Sequence, residues 1–379
     1  MIKLGIDRID EYLHLFKNKK VGLVTNPTGV NSELKSTIEI LSSKTELVAL
    51  YSPEHGVRGD LQAGVKLDDY VDPGTGSMVY SLYGKNKKPT FEMLKNIDVL
   101  CFDIQDVGAR YYTFIYTLAY IMMSASEFDK EVVVFDRPNP VGGVEVEGNI
   151  LDTDFRSFIG YYPLTQRYGL TIGELATLFN QEYGINCKLQ VVKMEGYSRE
   201  MYYKDTGLSW IFPSPNLPTT DSTFAYLATC IFEGTNMSEG RGTTKPFSII
   251  GAPWLNTDKL LKDLVNKDLK GVKFRKLYFT PTFSKHKNNL CNGIEMFITD
   301  KELFEPIKTG FTMMYLIKEN NKKFSFNKPY KEGMHPMIDL LTGNDFLRTN
   351  KLNLDEYLSK IESDSKTFKL MKERYHLYG

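Results

Sequence analysis

This 379-residue chain has no net charge to speak of: Lys plus Arg and Asp plus Glu each number 47. No global field would steer it to nucleic acid or to an anionic membrane, and neither partner is expected. Cysteine is scarce. Cys101, Cys187, Cys230 and Cys291 stand far apart, mostly in apolar settings, without metal-ligand spacing. Reduced, buried thiols are therefore expected, in place of a disulfide framework or a zinc site. Also missing are a membrane-length apolar run and, at Met-Ile-Lys-Leu-Gly-Ile-Asp-Arg, the start of a secretory signal. As written the chain reads as cytoplasmic; a secreted or periplasmic protein is the alternative if Met1 is not the native start.

Two nucleotide signatures are absent as well. Thr25-Asn-Pro-Thr-Gly29 stands where Gly-x-Gly-x-x-Gly would follow a first strand, and no Gly-x-x-x-x-Gly-Lys-Ser/Thr occurs. Dinucleotide binding is not expected, and no cofactor is. Lys308-Thr-Gly310 and two Ser-x-x-Lys matches resemble penicillin-binding motifs, but the Ser-Asp-Asn element is lacking.

What the chain does contain is a series of short, nearly continuous apolar runs. Val21–Thr25, Leu47–Tyr51, Val99–Asp103, Val132–Asp136 and Leu189–Val192 alternate with helix-length segments at Ser36–Ser42, Tyr111–Ser126 and Thr171–Tyr183. Strands apolar on both faces belong to a parallel sheet covered by helices, so a doubly wound α/β, Rossmann-like domain is predicted. Thr171-Ile-Gly-Glu174 has the form of a capping box. The Pro-rich Pro213–Pro218 marks a crossing to a second, smaller α+β domain. The expected division is 1–218 and 219–379. The second part should hold a helix at Thr223–Phe232, strands near 247–250, 273–279 and 294–299, a helix near 309–319 and a helical C-terminus.

Ligands of open α/β sheets bind beyond the carboxyl ends of the strands. There this chain places Glu54-His55, Asp103-Ile-Gln105-Asp106 and Asp136-Arg-Pro-Asn139. The loop Glu233–Lys245 adds Glu239, Arg241, Thr243 and three glycines that permit close backbone approach to a ligand. Glycoside hydrolysis needs two carboxyl groups, one protonated and one ionised. Glu54, with His55 beside it, and Glu239 form the preferred pair. The second reading is a metal-dependent phosphatase or esterase, with Asp103, Asp106, Asp136 and His55 around a divalent cation; the preferred reading holds no metal.

Ser52-Pro-Glu-His-Gly-Val-Arg-Gly59, Tyr80-Ser-Leu-Tyr-Gly84, Phe102-Asp-Ile-Gln-Asp-Val-Gly-Ala-Arg-Tyr111, Asp136-Arg-Pro-Asn-Pro140, Pro213–Pro218, Glu233–Thr244 and Gly251-Ala-Pro-Trp254 together resemble the bacterial exo-acting β-N-acetylmuramidases. The resemblance runs from about Val21 to about Gly310. It implies a Rossmann-like domain with an auxiliary domain closing the cleft, and release of N-acetylmuramic acid from the non-reducing end of peptidoglycan fragments. It further implies Glu54 as the catalytic acid, with its partner in the Glu239 block. The lactyl carboxylate of muramic acid asks for a cation, and Arg58, Arg110 and Arg241 are the candidates. Gln105, Asn139 and Asn236 are expected to bind sugar hydroxyls or the N-acetyl group, and Asp106, Asp136 and Thr243 to complete the substrate site. Members of the family often have His where this chain has Tyr168, so no histidine role transfers to that position. A non-catalytic muropeptide-binding module is a further alternative.

Overall fold

The computed structural model describes residues 2–53, 56–58, 69–84 and 86–379. Strands β1 (Lys20–Thr25), β2 (Glu46–Ser52), β3 (Tyr70–Val71), β4 (Met78–Ser81), β5 (Val99–Asp103), β6 (Glu131–Phe135) and β7 (Lys188–Val192) form one sheet. Its order is β3-β4-β2-β1-β5-β6-β7, parallel throughout except for β3 at the edge.

Alternate residues of the central strands feed two cores, as a sheet covered on both faces requires. Leu100, Phe102, Val132 and Val134 face helices α2 (Phe91–Leu94), α3 (Phe114–Glu127) and α4 (Ile172–Gln181). Val99, Cys101, Val133 and Phe135 face α1 (Thr37–Lys44) and a 3₁₀ segment, Ile6–Leu15, which tucks Ile6 and Ile9 beneath the sheet. The capping box at Thr171 and Glu174 is present at the start of α4. Strand order reverses direction at β1, which lies between β2 and β5, so the switch point gathers the chain beyond Thr25, Ser52 and Asp103.

A second layer begins at α5 (Thr220–Thr229), capped by Thr219, and turns through a 3₁₀ segment, Cys230–Gly234. Strands β8 (Ile249–Ala252), β9 (Val272–Phe279) and β10 (Cys291–Ile298) pair antiparallel in the order β8-β10-β9. Helices α6 (Thr257–Val265) and α7 (Pro306–Asn320) pack with α5 over one core, and Lys308-Thr-Gly310 lies inside α7. Helices α8 (Met337–Thr342), α9 (Phe346–Thr349) and α10 (Leu354–Lys372) complete the chain.

Within the expected second part, 219–379, the last stretch packs against the first layer. Beyond the middle of α10 the chain returns to the first domain, where Phe368 and Tyr375 enter the α3/α4 core. The Lys372 ammonium donates to the carbonyls of Gly143 and Gly169, and the Tyr378 hydroxyl donates to Asp136. These side chains find their burial only against the first domain. All four cysteines are buried and unpaired. Among the described residues no helix is long and apolar enough to cross a membrane.

Candidate active site

At the strand-end rim three of the expected residues, Asp103, Asp136 and Asn139, are engaged by the fold itself. Asp103 forms a fully buried ion pair with Arg137, whose Nη2 reaches Oδ2 at 2.9 Å, and also accepts from the Thr37 hydroxyl. Asp136 accepts from the backbone N–H groups of Arg137 and Gly173 and from the hydroxyls of Thr171 and Tyr378. It ties β6, the start of α4 and the C-terminal tail together, and burial pushes its carboxyl up to about 6. Asn139 donates to Leu170 O at 2.9 Å and accepts from Val141 N at 3.1 Å. The four donors fill the Asp136 carboxylate, whereas Asn139 gives the fold one of its two N–H groups and one acceptor bond.

Asp106 and Gln105 are placed differently. One oxygen of Asp106 accepts from Gly108 N and the Tyr168 hydroxyl, while Oδ1 is buried without a partner. Burial pushes this carboxyl, too, up to about 6. Gln105 donates Nε2 to the carbonyls of Asp106 and Pro138 and leaves Oε1 unpaired. Asn26 joins them through Thr28, whose hydroxyl accepts from Gln105 N and donates to Asn26 Oδ1; its own Nδ2 is unpaired. Buried polar atoms are seldom left unsatisfied, so among the described residues of the rim these three atoms have capacity left for a ligand. Glu54 and His55 lie outside the described residues. Among the described residues no group of three or more His, Cys, Asp or Glu side chains is arranged to hold a metal ion.

A cleft of about 230 Å³ lies between the two layers. Tyr111, Tyr112 and Phe114, where the chain enters α3, form one wall with Ser214, Asn216 and Leu217 of the Pro-rich crossing. Opposite stand Tyr226, Glu233, Arg241 and Phe247. The aromatic rings interlock edge to face: Tyr111 meets Tyr226 at 5.3 Å, and Tyr226 meets Phe247 at 4.8 Å. Such a surface suits a sugar ring, and the polar tips beside it suit the hydroxyls.

Charge in this cleft is concentrated on one cluster. Arg241 donates Nε and Nη2 to a single oxygen of Glu233, at 3.2 and 2.6 Å, and lies 5.1 Å over the Phe247 ring. Behind it Glu239, only 2 % exposed at its side chain, has Arg241 Nε at 3.4 Å from one oxygen and Lys285 Nζ at 2.9 Å from the other. Lys285 is itself fixed by the carbonyls of Phe232 and Met237. Glu233 keeps 27 % of its side-chain surface. Burial raises its carboxyl above the ordinary range, the charge of Arg241 opposes that rise, and the charge of Glu239 adds to it.

Of the two glutamates in the Glu233–Lys245 loop, then, the structure turns Glu233 toward the cleft and encloses the expected Glu239. A 3₁₀ turn at Cys230–Gly234 aims Glu233, and nothing in the residue pattern marks that turn. The three glycines also serve packing against protein. A Cβ at Gly234 would lie 2.7 Å from the Ile338 backbone, and Gly240 (φ 81°) and Gly242 (φ 82°) sit where side chains are disfavoured. Thr243 staples the loop by donating to Gly240 O, and Asn236 bridges Lys323 O and Ser325 N.

The arginines separate cleanly. Arg110 is fully buried, its guanidinium donating to the carbonyls of Asn149, Leu164, Leu341 and Thr342, so it clamps the two layers and does not reach the cleft. Arg58 forms a two-bond ion pair with Asp72, at 2.8 and 3.0 Å, which holds the Asp72 carboxyl below its usual range. Of these three only Arg241 lines the cleft.

Comparison with known proteins covers the whole chain. Residues 21–221 match the family described as exo-beta-N-acetylmuramidase NamZ, N-terminal, and residues 224–378 match its C-terminal counterpart. The peptidoglycan beta-N-acetylmuramidase NamZ of Bacillus subtilis (strain 168) is 47 % identical over 383 aligned positions, covering 100 % of this chain and 91 % of that protein. Two DUF1343 family proteins of Bacteroides fragilis NCTC 9343, known from crystal structures, superimpose with TM-scores of 0.90 and 0.78 at 38 % and 28 % identity. Each alignment covers 100 % of this chain and 99 % of the other.

Proposed function

The chain belongs to the exo-beta-N-acetylmuramidase NamZ family, and from that premise we propose that it hydrolyses the bond joining a non-reducing terminal N-acetylmuramic acid to the rest of a peptidoglycan fragment. One observation supports the site above the others: an aromatic-walled cleft between the two layers that displays a carboxylate and a guanidinium side by side. Arg241 is the cation for the lactyl carboxylate. No described residue accepts from its Nη1, and Phe247 together with Glu233 fixes the plane of the guanidinium, so little ordering remains to be done when an anion docks. Tyr112, half-buried at the cleft, offers its ring to the sugar with Tyr111 and Phe247 packed behind the wall, and Asn216 offers an amide to its hydroxyls.

Glu54, two residues beyond the end of β2 in the chain, is the proposed general acid, with His55 its neighbour. The unpaired Oε1 of Gln105 and Oδ1 of Asp106 at the same end of the sheet support an extension of the site toward the switch point. Four unpaired, buried thiols support a reducing compartment, such as the cytoplasm, as the place of action. A chromogenic β-N-acetylmuramide and the matching glucosaminide test the reading: wild type cleaves the first in preference to the second, and Glu54→Gln cleaves neither. Failure of well-folded wild type to release either chromophore, with retained binding of the muramide, would leave a binding module in its place.

A further inference from the structure

Among the described residues the cluster beside the cleft is balanced in charge. Glu233 and Glu239 balance Arg241 and Lys285. Among the described residues, the other titratable groups around Glu233 are Cys230, Tyr226 and Tyr111, all raised well above their ordinary range by burial and neutral near pH 7. A carboxylate arriving at Arg241 Nη1 gives this neutral group an excess negative charge beside the aromatic wall of the cleft. Such a charge is costly unless a partner compensates it.

Of these four residues, Glu233 is the one placed to respond. Arginine does not deprotonate under these conditions, and a change at Lys285 would remove positive charge and worsen the excess. Glu239 is enclosed, with a cation at each oxygen. Glu233 is open to the cleft, engages Arg241 through one oxygen only, and has no hydrogen-bond donor at the other among the described residues. Its carboxyl is already raised by burial.

We propose that Glu233 determines specificity for acidic sugars by taking up one proton as the substrate carboxylate docks on Arg241, so that the anion and the proton enter the cleft together. The proton comes from solvent, one O–H bond forms on Glu233, and the cluster with its ligand returns to neutrality. This inference rests on the cleft being the site of a muramidase, since it is the lactyl group that supplies the carboxylate.

A ligand that binds with one proton loses affinity by up to about tenfold per pH unit above the pKa of Glu233 in the free enzyme. The test is calorimetric titration of wild type and Glu233→Gln with N-acetylmuramic acid, and with N-acetylglucosamine as the sugar lacking the carboxylate. It is run between about pH 6 and pH 8 in two buffers of different ionisation enthalpy. For wild type the expected result is uptake approaching one proton with the acidic sugar and none with the neutral one. Glu233→Gln, permanently neutral, is expected to bind the acidic sugar with no uptake and an unchanging Kd. Uptake near zero in wild type, or uptake that persists in Glu233→Gln, overturns the proposal. Should the variant fail to fold, the wild-type proton count decides alone. Wild type that cleaves the muramide without proton linkage refutes this inference and leaves the muramidase reading standing. Wild type that neither binds nor cleaves removes both.

Discussion

Replacing Arg110 by Ala tests whether this cation binds substrate or holds the two layers together. The side chain is fully buried, and its four hydrogen bonds, at 2.7, 2.7, 3.1 and 2.9 Å, end on carbonyls of Asn149, Leu164, Leu341 and Thr342. A hydrogen bond to a charged group contributes about 1.5–3 kcal/mol, but the four share one guanidinium and water partly refills the space, so about 4 kcal/mol is the expected loss. An unfolding entropy of about 2.1 cal/mol/K per residue gives about 0.8 kcal/mol/K for 379 residues. The loss therefore corresponds to a Tm lower by roughly 5 °C if the chain unfolds as a unit. Arg110→Lys, with three donors on a point charge in place of the planar fork, should recover only part of it. Thermal unfolding and muramide hydrolysis are measured on the same samples, below the transition. A variant with a Tm within about 1 °C of wild type and a raised KM for the muramide would refute this assignment and return Arg110 to the substrate site.

Arg241→Gln should lower kcat/KM for the muramide by about 10–100-fold, the worth of one charge-assisted hydrogen bond, with a much smaller change for the glucosaminide; equal losses on both substrates would deny it the lactyl group. Thr171→Ala removes the capping hydroxyl of α4 and its bond to Asp136, and the denaturant midpoint should fall by the equivalent of about 1–2 kcal/mol. Burial raises the carboxyl of Glu147 to about 7, while its Oε1 accepts from Lys308 N at the start of α7. Because the folded protein holds this proton more tightly than the unfolded chain, the group's contribution to stability declines as pH rises from the ordinary carboxylate range to about 7. Glu147→Gln should flatten that part of the stability profile and unfold at higher denaturant than wild type at about pH 8; an unchanged slope would show that Glu147 does not carry it.

Much of the first domain was legible in the residue pattern because its signals are local. Val99–Asp103 and Val132–Asp136 read as buried strands since every residue is apolar or nearly so, and both occur within one residue of the expected bounds. Thr171 and Glu174 read as a cap because the reciprocal bonds span three residues. The return of the C-terminal tail was not legible. Phe368 and Tyr375 show that they need a core but not which one, and the bond from Tyr378 to Asp136 spans 242 positions.

By itself, the sequence determined the parallel sheet and the ordered blocks that identify the family, because each is written in neighbouring residues. Tertiary structure alone decided which charges face the cleft. Arg110 and Arg241 are the same residue type in equally suggestive blocks, yet one is enclosed by carbonyls more than 200 positions away and the other lines the cleft. Glu233 and Glu239 stand six residues apart, and a single 3₁₀ turn, with Lys285 waiting behind it, sends one to the cleft and the other into the interior. Charge acts through space, over a few ångströms and without regard to chain order, so its role is settled only when the packed elements bring its partners into reach.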